Sequence, residues 1–154
     1  MPRNYIDQIN FEKRDLHMNV IHVEEIKQII SRQQDAWNSS DAVGFSDDCD
    51  ESISFTNILG KVYFGRNLFD EVHINIFSTI FKGSALSLSI RRIHFPNPEV
   101  AIADLSAAVS GYQTLPPGVE SPADGVLRTS LLQVFIRAES GWRVVAYHNV
   151  DVKN

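Results

Sequence analysis

Residues 127–152 read LRTSLLQVFIRAESGWRVVAYHNVDV. Two runs rich in Leu, Val, Phe, Ile and Tyr flank Glu139-Ser140-Gly141, a turn-forming triplet, so Leu127 to Arg137 and Trp142 to Val152 form neighbouring antiparallel strands. In the second run Trp142, Val144, Ala146 and His148 share one parity and Arg143 stands on the other. A regular strand with that phase aims His148 inward and leaves Val145 and Tyr147 on the outer face. Upstream, Val100 to Gly111 is a third strand, preceded by the turn Pro96-Asn97-Pro98. Before that turn Leu86, Leu88 and Ile90 alternate with serines, and the phase slips at Arg91-Arg92 to Ile93 and Phe95. That slip predicts a β-bulge. The second half of the chain is a meander of long strands.

The first half is different in period. From His22 to Asn38 the apolar residues Val23, Ile26, Ile30 and Trp37 recur at helical spacing, with charged residues off that stripe. Asn38-Ser39-Ser40-Asp41 breaks the helix and offers capping oxygens to a shorter one carrying Ala42 and Phe45. Ser52 to Asn57 alternates as a strand, Asn57 to Gly60 turns, and Lys61 to Phe64 returns. A third helix, about 67–81, carries Phe69, Val72, His73, Ile76, Phe77 and Ile80 on one face. Residues 1–20 lack clear periodicity and form an N-terminal extension, in which Tyr5, Ile6, Ile9 and Phe11 suit a short helix or arm; residues 21–154 form one domain. Helices first and strands last specify an α+β fold, not alternating βαβ units. Thr114 to Gly125, TLPPGVESPADG, is a long loop: a lid, a partner contact or a mobile tip.

Composition narrows the function classes. With 154 residues and 44% apolar content the chain builds one core. Its 14 Lys and Arg against 19 Asp and Glu give a net charge of −5, and no basic run exceeds Arg91-Arg92, which argues against a nucleic-acid partner. Cys49 is the only cysteine, so no intramolecular disulfide or Cys-rich metal site is expected, and a reducing, cytoplasmic setting fits. No apolar run has the length of a signal peptide or membrane span. His17 with His22 and Asp70 with His73 lack a third ligand at a telling distance, so no metal is expected. With no Gly-rich dinucleotide fingerprint, no cofactor is expected either.

Ala36-Trp37-Asn38-x-x-Asp41, then Phe45, Asp48, Phe55, Asn57, Gly60 and Gly65, then Gly141-Trp142-Arg143 and His148-Asn149 form an ordered set. It resembles the SgcJ/EcaC branch of the SnoaL-like proteins, within the superfamily named for nuclear transport factor two, from about Val23 onward. The resemblance implies a cystatin-like, cone-shaped α+β barrel, in which a curved, mixed or antiparallel sheet carries three to four helices on its concave side. It also implies a pocket for a small hydrophobic molecule and a homodimer through the outer sheet face. The superfamily includes ketosteroid isomerases and polyketide cyclases, which place a carboxylate base beside an acidic C–H and donors at a carbonyl oxygen. Laid over the isomerase pattern, Gln33 falls where the phenol donor stands, Asn57 where the base stands and Gln133 where the protonated acid stands. An amide takes no proton at neutral pH, so the resemblance carries the fold and not that reaction.

The candidate site follows from both readings. His148 is a general acid or base, or a donor to a ligand carbonyl; otherwise it is a core histidine with a structural partner. His73, one turn from Phe69 and Phe77, is a pocket group or a buried structural histidine. Asn57 orients a ligand or serves its turn. Asp104, among Val100, Ile102, Ala103 and Leu105, is a base with a raised pKa if it faces inward, or an outer-face carboxylate. Gln33 and Gln133, with Trp37, Phe55, Phe64, Phe69 and Phe77, are the candidate ligand contacts, although aromatics of this kind also serve as plain core. The expected function is a small-molecule pocket protein with acid–base chemistry of isomerase, cyclase or dehydratase type on a hydrophobic, carbonyl-bearing metabolite. The alternative is a non-catalytic ligand-binding or dimerisation module.

Overall fold

The computed structural model describes residues 5–153, without the side chains of Tyr5 and Phe11. The expectation that those two side chains pack as part of an arm lies outside what is described. Helix α1 runs unbroken over Tyr5–Asn38, so the extension and the first helix are one element. No Gly or Pro interrupts that stretch, and helix propensity continues it where the apolar stripe has ended. Beyond Asn38 the chain turns, and Asp41 caps α2 (Ala42–Phe45) by accepting from the Gly44 amide.

Six strands follow: β1 (Cys49–Thr56), β2 (Val62–Phe64), then, after α3 (Arg66–Ser78), β3 (Ala85–Asn97), β4 (Val100–Ser110), β5 (Leu127–Ala138) and β6 (Gly141–Asp151). Their order in one mixed sheet is β2-β1-β6-β5-β4-β3, with β1 parallel to β6 and every other pair antiparallel. The three helices pack on the face that carries Ala101, Ala103, Leu105, Ala107 and Val109 of β4 and Leu127, Leu131 and Phe135 of β5, all buried. Helix α1 also covers the edge of the sheet. Asn38 donates to the Leu86 carbonyl and accepts from its amide, and Gln34 accepts from the Leu88 amide. Edge backbone groups that would otherwise need water or another chain are thereby satisfied.

Of the sheet's four register shifts among the described residues, two bear on the positions singled out from sequence. The register of β3 against β4 shifts between Ile90 and Arg92, where the sequence predicts it. A second shift lies in β6, where Val134 pairs with Ala146 but Phe135 pairs with Val144, so Val145 is skipped. One extra residue inverts the alternation of everything beyond it. Trp142 and Val144 face inward before the bulge; Tyr147 and Asn149 face inward after it.

Candidate functional site

The concave face holds a cavity of about 100 Å³. Trp37 of α1 and Val72, His73 and Ile76 of α3 wall the helix side. Phe55, Leu86, Ala107, Val109, Leu127, Thr129, Tyr147 and Asn149 wall the sheet side, where Phe55 and Tyr147 are paired neighbours. Asn57, Ile58 and Leu59 from the β1–β2 turn and Pro116 from the long loop also contribute. That loop is packed down, since Leu115 and Val119 rest on the core. One water needs roughly 10–15 Å³ and benzene a cavity of about 150 Å³, so the space is of the order of a small organic molecule.

His73 is buried, with its ring 4.2 Å from the centre of Phe69, 4.8 Å from Phe45 and 5.3 Å from Phe55. Its Nδ1 lies 2.7 Å from the Phe69 carbonyl. A carbonyl only accepts, so Nδ1 carries the proton and Nε2 holds the lone pair. Burial pushes the imidazole pKa down to about 4, against smaller opposing effects of the Phe69 carbonyl and Asp70. At neutral pH the ring is an uncharged acceptor. Tyr147, on the facing wall, is also buried, and desolvation raises its phenol above the ordinary value, so it stays protonated.

Thr129 and Asn149 supply the remaining polar wall. Leu131 pairs with Asn149 and Thr129 with Asp151, which makes Thr129 and Asn149 diagonal neighbours on the same face of β5 and β6. Thr129 Oγ1 and Asn149 Oδ1 are both enclosed and neither has a hydrogen-bond partner among the described residues. The parallel register sets Thr56 beside His148, which brings the next residues, Asn57 and Asn149, to the same end of the sheet. The Asn57 side-chain oxygen accepts from the Leu59 and Lys61 amides at 3.0 Å each. It organises its turn, where Gly60 takes φ +77°, and also borders the cavity.

Of the residues singled out from sequence, His73, Asn57, Trp37 and Phe55 converge on the cavity. Phe69 and Phe77 are buried beside it as core and are not among its lining residues. His148 is a correction: the Val145 bulge turns it to the exposed outer face. Asp104 is another, because Ala103 and Leu105 are the inward residues of β4 and Asp104 lies opposite, in register with Arg92 and Leu132. Phe64 is 70% exposed on the edge strand β2, because it pairs with Ser54 on the outer face while its neighbour Tyr63 pairs with and stacks on the inward Phe55. Gln33 and Gln133 are buried but bond each other and not the cavity. Sequence reasoning misses Tyr147, Thr129 and Asn149. Val145 and Tyr147 are two large β-formers with no Gly nearby to mark the bulge, so plain alternation misplaces everything after it. Thr129 alternates correctly with Leu127 and Leu131, and that phase is a usable signal.

No family model matches the chain, and no curated protein does. Solved structures do. A protein with a cystatin-like fold from Caulobacter vibrioides is 23% identical, with a TM-score of 0.73 over 86% of this chain and 90% of that one. An NTF-2 like protein of unknown function from Shewanella oneidensis is 16% identical, TM-score 0.65, over 84% of this chain and 98% of that one. The chain has the cystatin-like, NTF2-like fold. A ketosteroid isomerase-like protein from Erwinia carotovora atroseptica shares this fold at 12% identity, TM-score 0.65, over 84% of this chain and 95% of that one. No helix among the described residues is long and apolar enough to cross a membrane.

Proposed function

We propose that this chain is a small-molecule pocket protein that binds an apolar ligand on the concave face of its NTF2-like cone. The observation that carries the reading is a mostly apolar cavity on the concave face, bordered by the buried side chains of His73 and Tyr147. A concave, mostly apolar space with a few convergent polar groups is the usual form of a small-molecule site. Acid–base chemistry of isomerase, cyclase or dehydratase type then rests on His73 Nε2 as proton acceptor, with Tyr147 as a neutral phenol on the facing wall. The ordered motif set from Ala36 to Asn149 supports the SgcJ/EcaC branch, and the outer sheet face supports a homodimer.

The second reading, a binding module without catalysis, has its own support. A base works best with a pKa near the working pH, and His73 sits well below it. The two indoles test the shared core of both readings. Trp37 lines the cavity and donates to Ser84 Oγ, while Trp142 packs with His22 and Phe95 away from it. On titration with a small neutral ring compound, the Trp37 indole N–H resonance shifts and that of Trp142 stays; Trp142→Phe assigns the two. Shifts only at Trp142, or at neither, reject the pocket.

A further inference from the structure

Almost every wall of the cavity is secured by hydrogen bonds. Helices α1 and α3 and the strands hold themselves through their ladders. The turn after α3 is closed by Phe81 N–H to the Ile76 carbonyl and Ser84 N–H to the Phe81 carbonyl. The β1–β2 turn is closed by Asn57 N–H to the Lys61 carbonyl and by the two amides that the Asn57 side chain holds. Pro116 is the exception. It belongs to the 111–126 connection between β4 and β5, which is tied to the body near its two ends. Gln113 donates from its backbone to the Ile80 carbonyl and from its side chain to the Lys82 carbonyl, and Asp124 accepts from Arg128. Between these anchors, the hydrogen bonds of residues 114–123 all stay within the loop, among the described residues. The sequence accounts for part of this, since Pro116, Pro117 and Pro122 have no N–H to donate. What holds the segment down is apolar contact by Leu115, Pro116 and Val119, all half-buried. Farther along, Glu120 to Ala123 share a polar groove of about 390 Å³ with Arg128, Asp151 and Lys153.

We propose that residues 114–123 are the lid of the cavity, a strap fixed at Gln113 and Asp124 that lifts Leu115, Pro116 and Val119 off the core to admit the ligand; this rests on the reading of the cavity as a ligand site. A segment held by few apolar contacts and no ladder opens at the low end of a protein's stability range, well short of global unfolding. Active-site and binding lids are drawn from such segments. Lifting the strap moves the one wall whose displacement breaks no hydrogen bond to the body.

Trp37, which lines the cavity, is the reporter for the test. Trp142→Phe removes the only other tryptophan, and quenching by acrylamide, a small neutral molecule, then measures access to Trp37. In that background Leu115→Ser and Val119→Ser should each raise the quenching rate constant roughly three- to tenfold, the factor set by the half-buried apolar surface each gives up. The rise should be insensitive to urea below the unfolding transition. On the natural chain thermolysin, which cuts before large apolar residues, should cut before Leu115 or Val119 at a rate equally insensitive to that urea. Quenching unchanged in both serine variants, or strap cleavage only in step with global unfolding, overturns the lid. The cleavage is read without any substitution, so it decides the matter even if a variant fails to fold. Benzene separates the lid from the pocket. A shift of the Trp37 indole N–H on adding benzene, with quenching unchanged in the variants, overturns the lid and leaves the pocket standing. No such shift rejects the pocket reading and the lid with it.

Discussion

Gln33 and Gln133, 100 residues apart in the chain, exchange two amide hydrogen bonds of 2.9 and 2.8 Å across the buried core. Each side chain donates to and accepts from the other, so a helix and the central sheet are pinned by a closed pair. Replacing one with a leucine leaves the other's donor and acceptor buried and unpaired, at a cost of about 1–3 kcal/mol. Gln133→Leu and Gln33→Leu should each lower the urea midpoint, and the double variant should recover part of the loss. Strict additivity of the two single effects in that double-mutant cycle would mean the pair is not coupled.

The Gln pair also explains what is legible in the sequence. Its two members interrupt apolar stripes on α1 and β5, which is visible in the alternation, but their mutual contact is a tertiary fact that periodicity cannot supply. The α+β class, the strand meander and the bulge near Arg91-Arg92 follow from local pattern because period and turn chemistry are local. His73, Asn57, Trp37 and Phe55 are legible because helix and strand phases hold over their short elements. The misplacing of His148 and the missing of Tyr147 and Asn149 have one cause, the insertion of Val145 into β6, which has no composition signature. Asp104 stays open between two faces because an Ala-rich strand gives its parity away only once its neighbours are known.

The Asn38 clamp on β3 offers a separate check on the fold. Its side chain satisfies both the amide and the carbonyl of Leu86 at 2.7 and 3.0 Å. Asn38→Ala removes both bonds at the edge of the sheet and should destabilise the chain by about 1–3 kcal/mol. Amide hydrogen exchange at Leu86 should rise before exchange in β5 does. Equal acceleration across the sheet would show that the clamp does not protect this edge specifically.

The outer sheet face carries the homodimer proposal. Ile102, Val134 and Ala146 lie in one cross-strand row, and Leu132, 37% exposed, stands in the next row with Asp104 and His148. A stable interface needs about 800 Å² from each partner, and a central apolar patch with a polar rim is the usual form. Light scattering should give twice the chain mass, and Leu132→Arg should give the monomer with helix and sheet content unchanged. A monomer from the unaltered chain at micromolar concentration would end this proposal.

His73 ties the stability of the whole cone to pH. Its imidazole titrates at about 4 in the folded protein and near 6.5 once unfolded. Between those values the unfolded chain binds more protons than the folded one, so stability rises with pH across the window and is lost as pH falls through it. The shift corresponds to about 3 kcal/mol at full extent. The thermal midpoint should therefore drop as pH is lowered from about 6.5 toward 4, over and above any loss from carboxylates, which titrate lower. His73→Gln keeps a donor for the Phe69 carbonyl and removes the titration, so its midpoint should be flatter over the same range. A natural chain and a His73→Gln variant with parallel profiles would mean that His73 is protonated without cost in the fold, and with that its role as an uncharged acceptor in the cavity would fall.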